Sequence, residues 1–161
     1  MARTVQFYEG VLGLPLVKTQ ELPNGMGQHF FFDIGNGDCL AFFYFADGAE
    51  RAPGIAFPES YATPSGDGSM HHIAMRIPPE DVVRCYERLT DAGVELQFIA
   101  HHLDRPSGRT LADIADDTYA ASVYFKDPDG IVLEFCAWMP AWSRVVREHE
   151  PSTNNRVAAP I

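Results

Sequence analysis

Two residues stand where side chains of their kind are costly unless they are used. His72 lies in Met70-His71-His72-Ile73-Ala74-Met75-Arg76-Ile77, which reads as a strand. Alternation puts His72, Ala74 and Arg76 on one face and His71, Ile73, Met75 and Ile77 on the other. Glu134 lies in Ile131-Val132-Leu133-Glu134-Phe135-Cys136-Ala137-Trp138, a strongly apolar strand that places Val132, Cys136 and Trp138 beside it. A carboxylate there is expensive to bury unless it is paired or bound to a cation. Taken singly, His72 reads as a satisfied core histidine and Glu134 as a solvent-facing acid. Taken together, an imidazole and a carboxylate meeting on one inner sheet face are suitable ligands for a divalent metal.

Other candidates surround this pair. Tyr124 lies across a tight hairpin from Glu134 and reads equally well as a cross-strand aromatic or as a phenol facing the site. His101 and His102 stand at the head of a long loop, where solvation is the simpler reading. His29 shares a strand face with Phe31 and Asp33, and is read as facing water. Cys39, Cys85 and Cys136 are odd in number and far apart, so neither a fully paired disulfide framework nor a CxxC zinc site is available. Each sits among apolar residues and reads as a small buried hydrophobe.

The elements that must position these residues come from an internal repeat. Phe32-Asp33-Ile34-Gly35-Asn36-Gly37-Asp38-Cys39-Leu40-Ala41-Phe42 aligns with Phe125-Lys126-Asp127-Pro128-Asp129-Gly130-Ile131-Val132-Leu133-Glu134-Phe135. Both are strand, tight glycine turn and strand. Upstream, Val5-Gln6-Phe7-Tyr8 resembles Val83-Arg84-Cys85-Tyr86, each within a helical pattern closed by a glycine. The fold class is therefore α+β, built from two βαβββ modules. Module two reads as strand 70–77, helix 79–91 and strands 94–101, 119–126 and 131–138. Module one reads as helix 2–12 and strands 14–22, 27–34 and 38–45. The counterpart of His72 falls before Met1, so the first strand of module one is expected to be absent from this chain. The expected organisation is one domain over 1–138 (module one 1–45, linker 46–69, module two 70–138) and a tail over 139–161. The tail holds a short helix at 141–149 and then a disordered end. The loop 102–117 reads as a site-covering element.

Composition narrows the function classes. The chain has 161 residues, 46% apolar and 21% charged, ordinary for a globular protein. Its formal net charge of −10 disfavours nucleic acid. There is neither an apolar run of membrane-span length nor a signal-peptide pattern. Together with the unpaired cysteines this gives a cytoplasmic expectation.

The helical Phe7-Tyr8 with Val11-Leu12-Gly13-Leu14, then His72-Ile73-Ala74, then Tyr124-Phe125-x-Asp127-Pro128-Asp129-Gly130 with Leu133-Glu134-Phe135, resembles the vicinal oxygen chelate superfamily. That superfamily includes glyoxalase I, fosfomycin-resistance and bleomycin-binding proteins, methylmalonyl-CoA epimerase and extradiol catechol dioxygenases. The resemblance spans roughly residues 2–138. It implies a metal held in a cup formed by paired modules, with ligands at His72 and Glu134. It implies a third ligand, usually histidine, in the strand that lies before Met1. The family's optional fourth ligand, a glutamate, falls on Ala41, which cannot bind metal. At most a triad of two histidines and Glu134 remains, a set that suits non-haem Fe(II) oxygenases.

The resemblance to extradiol enzymes also gives catalytic roles to Tyr124, as an active-site tyrosine, and to His102, as a histidine near the oxygen site. The register of His102 departs from the family's. The expectation is an extradiol-type ring-cleaving dioxygenase acting on a small aromatic or carbonyl-containing substrate. Fe(II) is the favoured metal, with Mn, Zn or Ni as alternatives. A homodimer is expected, because a module missing an edge strand exposes unpaired backbone groups. The competing expectations are a glyoxalase-like lyase or isomerase and a non-catalytic drug binder.

Overall fold

The computed structural model describes residues 1–48, 70–103, 109–110 and 114–144. The linker beyond residue 48, much of the loop 102–117 and the tail beyond residue 144 lie outside the described residues. Helix α1 (Ala2–Val5) runs into a π-helical segment, Gln6–Val11. Strands β1 (Leu16–Glu21), β2 (Gly27–Gly35) and β3 (Asp38–Phe45) form an antiparallel sheet in that order. Strand β4 (Ile73–Arg76), helix α2 (Val82–Asp91), and strands β5 (Leu96–Leu103), β6 (Arg109–Thr110), β7 (Thr118–Lys126) and β8 (Val132–Trp138) follow. They form a second sheet ordered β4-β8-β7-β5-β6, with β4 parallel to β8. Helix, sheet and parallel return give the mixed α+β architecture read from the repeat.

The repeat is visible in three dimensions. Phe32 and Phe125 are both fully buried, as is Tyr8, and all three share one core with Leu89, Val123 and Leu133. Gly37 and Gly130 close the matching hairpins at φ 86° and 89°, a conformation that a Cβ makes costly. Inner faces of both sheets feed this core. The outer face of the first sheet carries His29, Phe31, Ala41 and Phe43, with Phe43 about half exposed.

Several boundaries differ from those expected. The first helix is π-wound over most of its length: the amide of Leu12 bonds to the carbonyl of Phe7, one residue beyond the α-helical partner. Strand β4 starts only at Ile73, where pairing to Leu133 begins, and ends before Pro78. It pairs on one side alone and is correspondingly short. Strand β5 runs two residues further than expected, to Leu103, because β7 pairs with it as far as Thr118, while β6 pairs His101 and His102 on the other side. This corrects the placement of His102, a strand residue and not a loop residue; His101 closes the strand expected over 94–101 and stays within it. The last element is a 3-10 turn, Pro140–Arg144. No helix among the described residues is long and apolar enough to cross a membrane.

Candidate functional site

Strand β8 is apolar because one of its faces is core: Leu133 and Phe135 point inward with Phe125 and Val123 of β7. The other face carries Glu134 and Cys136. Registers then fix what surrounds them. Across β7, Glu134 faces Tyr124, Cys136 faces Ser122 and Trp138 faces Ala120. Across parallel β4, Ala74 faces Glu134 and Arg76 faces Cys136. His72 immediately precedes β4, and its Nε2 lies 2.7 Å from Glu134 Oε2. The two residues singled out from the sequence are thus in direct contact, with Glu134 only 5% exposed.

Burial pushes the Glu134 carboxyl up. The hydrogen bond and charge of His72, with the nearby Ser122 and Tyr124 hydroxyls, outweigh it and hold the carboxyl below the usual range. The acid is therefore ionised at neutral pH. The neighbouring Cys136 thiol behaves oppositely. Burial drives it up to about 11, with Ser122 lowering it and Glu134 raising it further. Without a bound cation it stays a neutral thiol beside the carboxylate at neutral pH.

His71 was expected on the opposite face, but alternation does not extend back beyond the start of β4. Its Nδ1 lies 2.5 Å from Nδ1 of His72, and the two rings meet edge to face. That contact ties the far nitrogen of His72 and leaves Nε2 aimed at Glu134. Tyr124 is buried between the histidines. Its ring is 5.5 Å from that of His72, and its hydroxyl is 3.4 Å from Nε2 of His102. His102 also stacks on Tyr119, which packs on Trp142. His101 is buried, with Ala121 opposite it on β7. His29 neither lines this site nor faces water, being packed between the rings of Phe31 and Phe43 at 4.0 and 3.8 Å.

Of these groups His72, His102, Tyr119 and Glu134 line a cavity of about 350 Å³, together with Arg76 and Trp138; Tyr124 is not among its lining residues. A larger cavity, about 620 Å³, lies between the first helix and the β7–β8 turn, lined by Phe7, Val11, Val94 and Asp127. It has no histidine or cysteine. The smaller cavity is taken as the site, because it alone gathers an imidazole, an ionised buried carboxylate and a phenol. Among the described residues no third His, Cys, Asp or Glu joins His72 and Glu134 in a metal-binding group. Ala41, at the repeat position of Glu134, lies on the exposed face of the first sheet opposite Phe31. Ser122 was not singled out in the sequence. Its signal was the β7–β8 register, which a hairpin closed at Gly130 already implies.

No curated protein matches the sequence. Solved structures do. A mutant of fosfomycin resistance protein FosX from Listeria monocytogenes, complexed with Mn(II) and 1S,2S-dihydroxypropylphosphonic acid, aligns with 87% of this chain and 85% of its own, at 20% identity and a TM-score of 0.54. A glyoxalase family protein from Enterococcus faecalis aligns over 84% and 87%, at 20% identity and 0.55. A glyoxalase I mutant from Zea mays aligns over 84% of this chain and 40% of its own, at 16% and 0.56. At these identities the likeness is one of fold. The family profile of the Glyoxalase/Bleomycin resistance protein/Dioxygenase superfamily, however, matches residues 1–135, most of the chain and every strand up to the site carboxylate. The chain belongs to the glyoxalase/bleomycin resistance protein/dioxygenase superfamily.

Proposed function

We propose that this protein is a metal-dependent enzyme that cleaves a catechol-type ring, with His72 and Glu134 as two ligands of a divalent cation and Fe(II) as the favoured one. The observation that supports this reading is the packing of the buried Tyr124 phenol against Glu134, His72 and His102, three residues that line one aromatic-walled cavity. The residues fit such a cation in chemistry. Glu134 is an ionised carboxylate in an apolar strand, and His72 has its far nitrogen tied by His71, the pattern of an oriented ligand. Structural and catalytic sites use at least three protein ligands, so a further one is needed beyond this pair. A divalent cation bound there supplies Lewis acidity, which lowers the pKa of a diol and orients it.

The chain's own residues do the rest. Trp138 and Tyr119 wall the cavity for a planar ring. The Tyr124 hydroxyl is placed to hydrogen-bond a substrate oxygen, and His102 at 3.4 Å can hold or pass on the phenol's proton. Absence of a carboxylate at Ala41 removes the base that a proton-shuttling isomerase would use. A glyoxalase-like or fosfomycin-inactivating role is the second reading, favoured by the names of the similar solved structures. A non-catalytic drug binder is the third.

In the presence of Fe(II), simple catechols are expected to give ring-cleavage absorbance with matching oxygen uptake. Tyr124→Phe should retain its iron and turn over at least about tenfold more slowly. Retained iron with no catechol consumed overturns the dioxygenase reading, and consumption of fosfomycin instead favours the second.

A cytoplasmic homodimer completes the proposal. Cys39, Cys85 and Cys136 are all free, which suits a reducing compartment, although only Cys136 is buried as expected, Cys85 being half-buried and Cys39 exposed near the β2–β3 turn. Among the described residues β3 pairs only with β2, and it carries Phe43, Tyr44 and Phe45 exposed by about half. Such an open apolar edge invites a second chain. Light scattering at micromolar concentration should return twice the chain mass of 17.9 kDa, and a monomer would remove this part of the proposal.

A further inference from the structure

Arg76 has no task in the reading above. It lies on the β4 face that carries Ala74, opposite Cys136 of β8, and lines the same cavity as His72 and Glu134. Among the described residues its guanidinium makes no ion pair and no hydrogen bond. It is the one Lys or Arg among the described residues lining that cavity. A second cavity of about 270 Å³ is lined by Arg76, Ile77, Pro78, Pro79 and Trp138. The two cavities share Arg76 and Trp138, so they adjoin at the guanidinium.

The chain carries 12 Lys and Arg against 22 Asp and Glu, and its overall field disfavours anions. A lone guanidinium facing an aromatic cavity acts against that field at short range. Its planar fork matches carboxylate and phosphonate oxygens two at a time. Glu134 faces Ala74, and Arg76 stands two residues further along β4 on the same face, about 7 Å at ~3.3 Å per residue from the point where the Glu134 side chain enters. A single ring bearing a short acidic chain matches that span once both side chains reach inward.

We infer that Arg76 recognises an oxyanionic group, carboxylate or phosphonate, at the end of the substrate remote from Glu134. The inference deepens the reading proposed above and rests on it for placing the reacting end at Glu134.

The test is a binding matrix read by quenching of tryptophan fluorescence. Both tryptophans of the chain, Trp138 and Trp142, stack at 4.0 Å beside the cavity. The probes are 3-(3,4-dihydroxyphenyl)propionate, its amide, 3-phenylpropionate, its amide, and 2-phenylethylphosphonate. Each acid is expected to bind about tenfold more tightly than its amide, the size of one charge-assisted contact at an accessible site. Arg76→Gln should abolish that preference and leave the amides' affinities unchanged, which also establishes that the variant is folded. Arg76→Lys, with charge but no fork, should keep part of it. The carboxylate-to-phosphonate ratio identifies the oxyanion. An acid bound no better than its amide, or an acid preference that survives Arg76→Gln, overturns the inference. Failure of the diol to improve binding in either pair bears instead on the ring-cleavage reading, so the two can fail separately.

Discussion

With His72 and Glu134 alone, divalent metal is expected to bind weakly; where a third ligand completes the pair, replacing Glu134 by alanine is expected to lower the affinity by more than about 100-fold, removing Mn(II) or Fe(II) at micromolar concentration. The magnitude is bounded from below. Loss of a residue that merely supports a ligand typically costs about 10–100-fold, and loss of a charged ligand costs more. Among the described residues Glu134 is the one carboxylate at the cavity wall, and it is ionised despite burial chiefly because of the hydrogen bond and charge of His72. Without it, His72 offers one neutral nitrogen. Ser122→Ala separates ligand from support, since it removes only a neighbour of the carboxylate and should cost about tenfold. Metal content by atomic spectroscopy on the protein and both variants, after equilibration at fixed free metal, checks the ordering. Unchanged metal in Glu134→Ala would remove the ligand assignment, whatever became of turnover.

The sequence exposed the parts of this site that obey local rules. Alternation placed Glu134 on one face of its strand, and the glycine turn at Gly130 set Tyr124 opposite it, as the register has it. Period-two reasoning failed at His71 and His72 because they precede β4, and pairing with Leu133 starts only at Ile73. Outside a ladder nothing enforces alternation, so the two rings come together instead of pointing apart. His102 was misplaced for a similar reason. Its strand runs on because β7 begins at Thr118 and pairs with it as far as Leu103, and the further partner Arg109–Thr110 is too short to leave any pattern of its own. The π-helical winding of Gln6–Val11 was equally hidden, since apolar spacing at Tyr8, Val11 and Leu12 suits an α-helix as well. What joins the first helix to the second sheet was out of reach altogether. Tyr8 and Asp127 are each ordinary in their own segments and acquire a role only from contact across the fold.

That contact carries the second large effect. Asp127 is 5% exposed, yet its carboxylate is fully engaged. Oδ2 accepts the Tyr8 hydroxyl at 3.0 Å, and Oδ1 accepts the backbone amides of Asp129 at 2.9 Å and Ile131 at 2.8 Å. Asp127→Ala leaves three donors without an acceptor and is expected to cost about 3–5 kcal/mol in urea unfolding. The neighbouring Asp129 also holds the first helix, through Arg3 at 2.6 Å, but both partners are largely exposed. Asp129→Ala should cost less than about 1 kcal/mol, so proximity to the turn is not itself the cause. Tyr8→Phe removes one donor and leaves Asp127 with two, for about 1–2 kcal/mol at neutral pH.

Its distinguishing behaviour is alkaline. Burial first, then the charge of Asp127 and its hydrogen bond, raise the Tyr8 phenol well above the ordinary tyrosine range. In the unfolded chain the phenol ionises near pH ~10, while in the folded protein it keeps its proton. The folded state then binds more protons than the unfolded, so this group's contribution is intact below about pH 10 and falls by about 1.4 kcal/mol per pH unit above it. Phe at position 8 has no such penalty. The stability gap between the protein and Tyr8→Phe should therefore close between about pH 9 and about pH 11, and a gap that stays constant over that range would show that the phenol is not held protonated by its burial against Asp127.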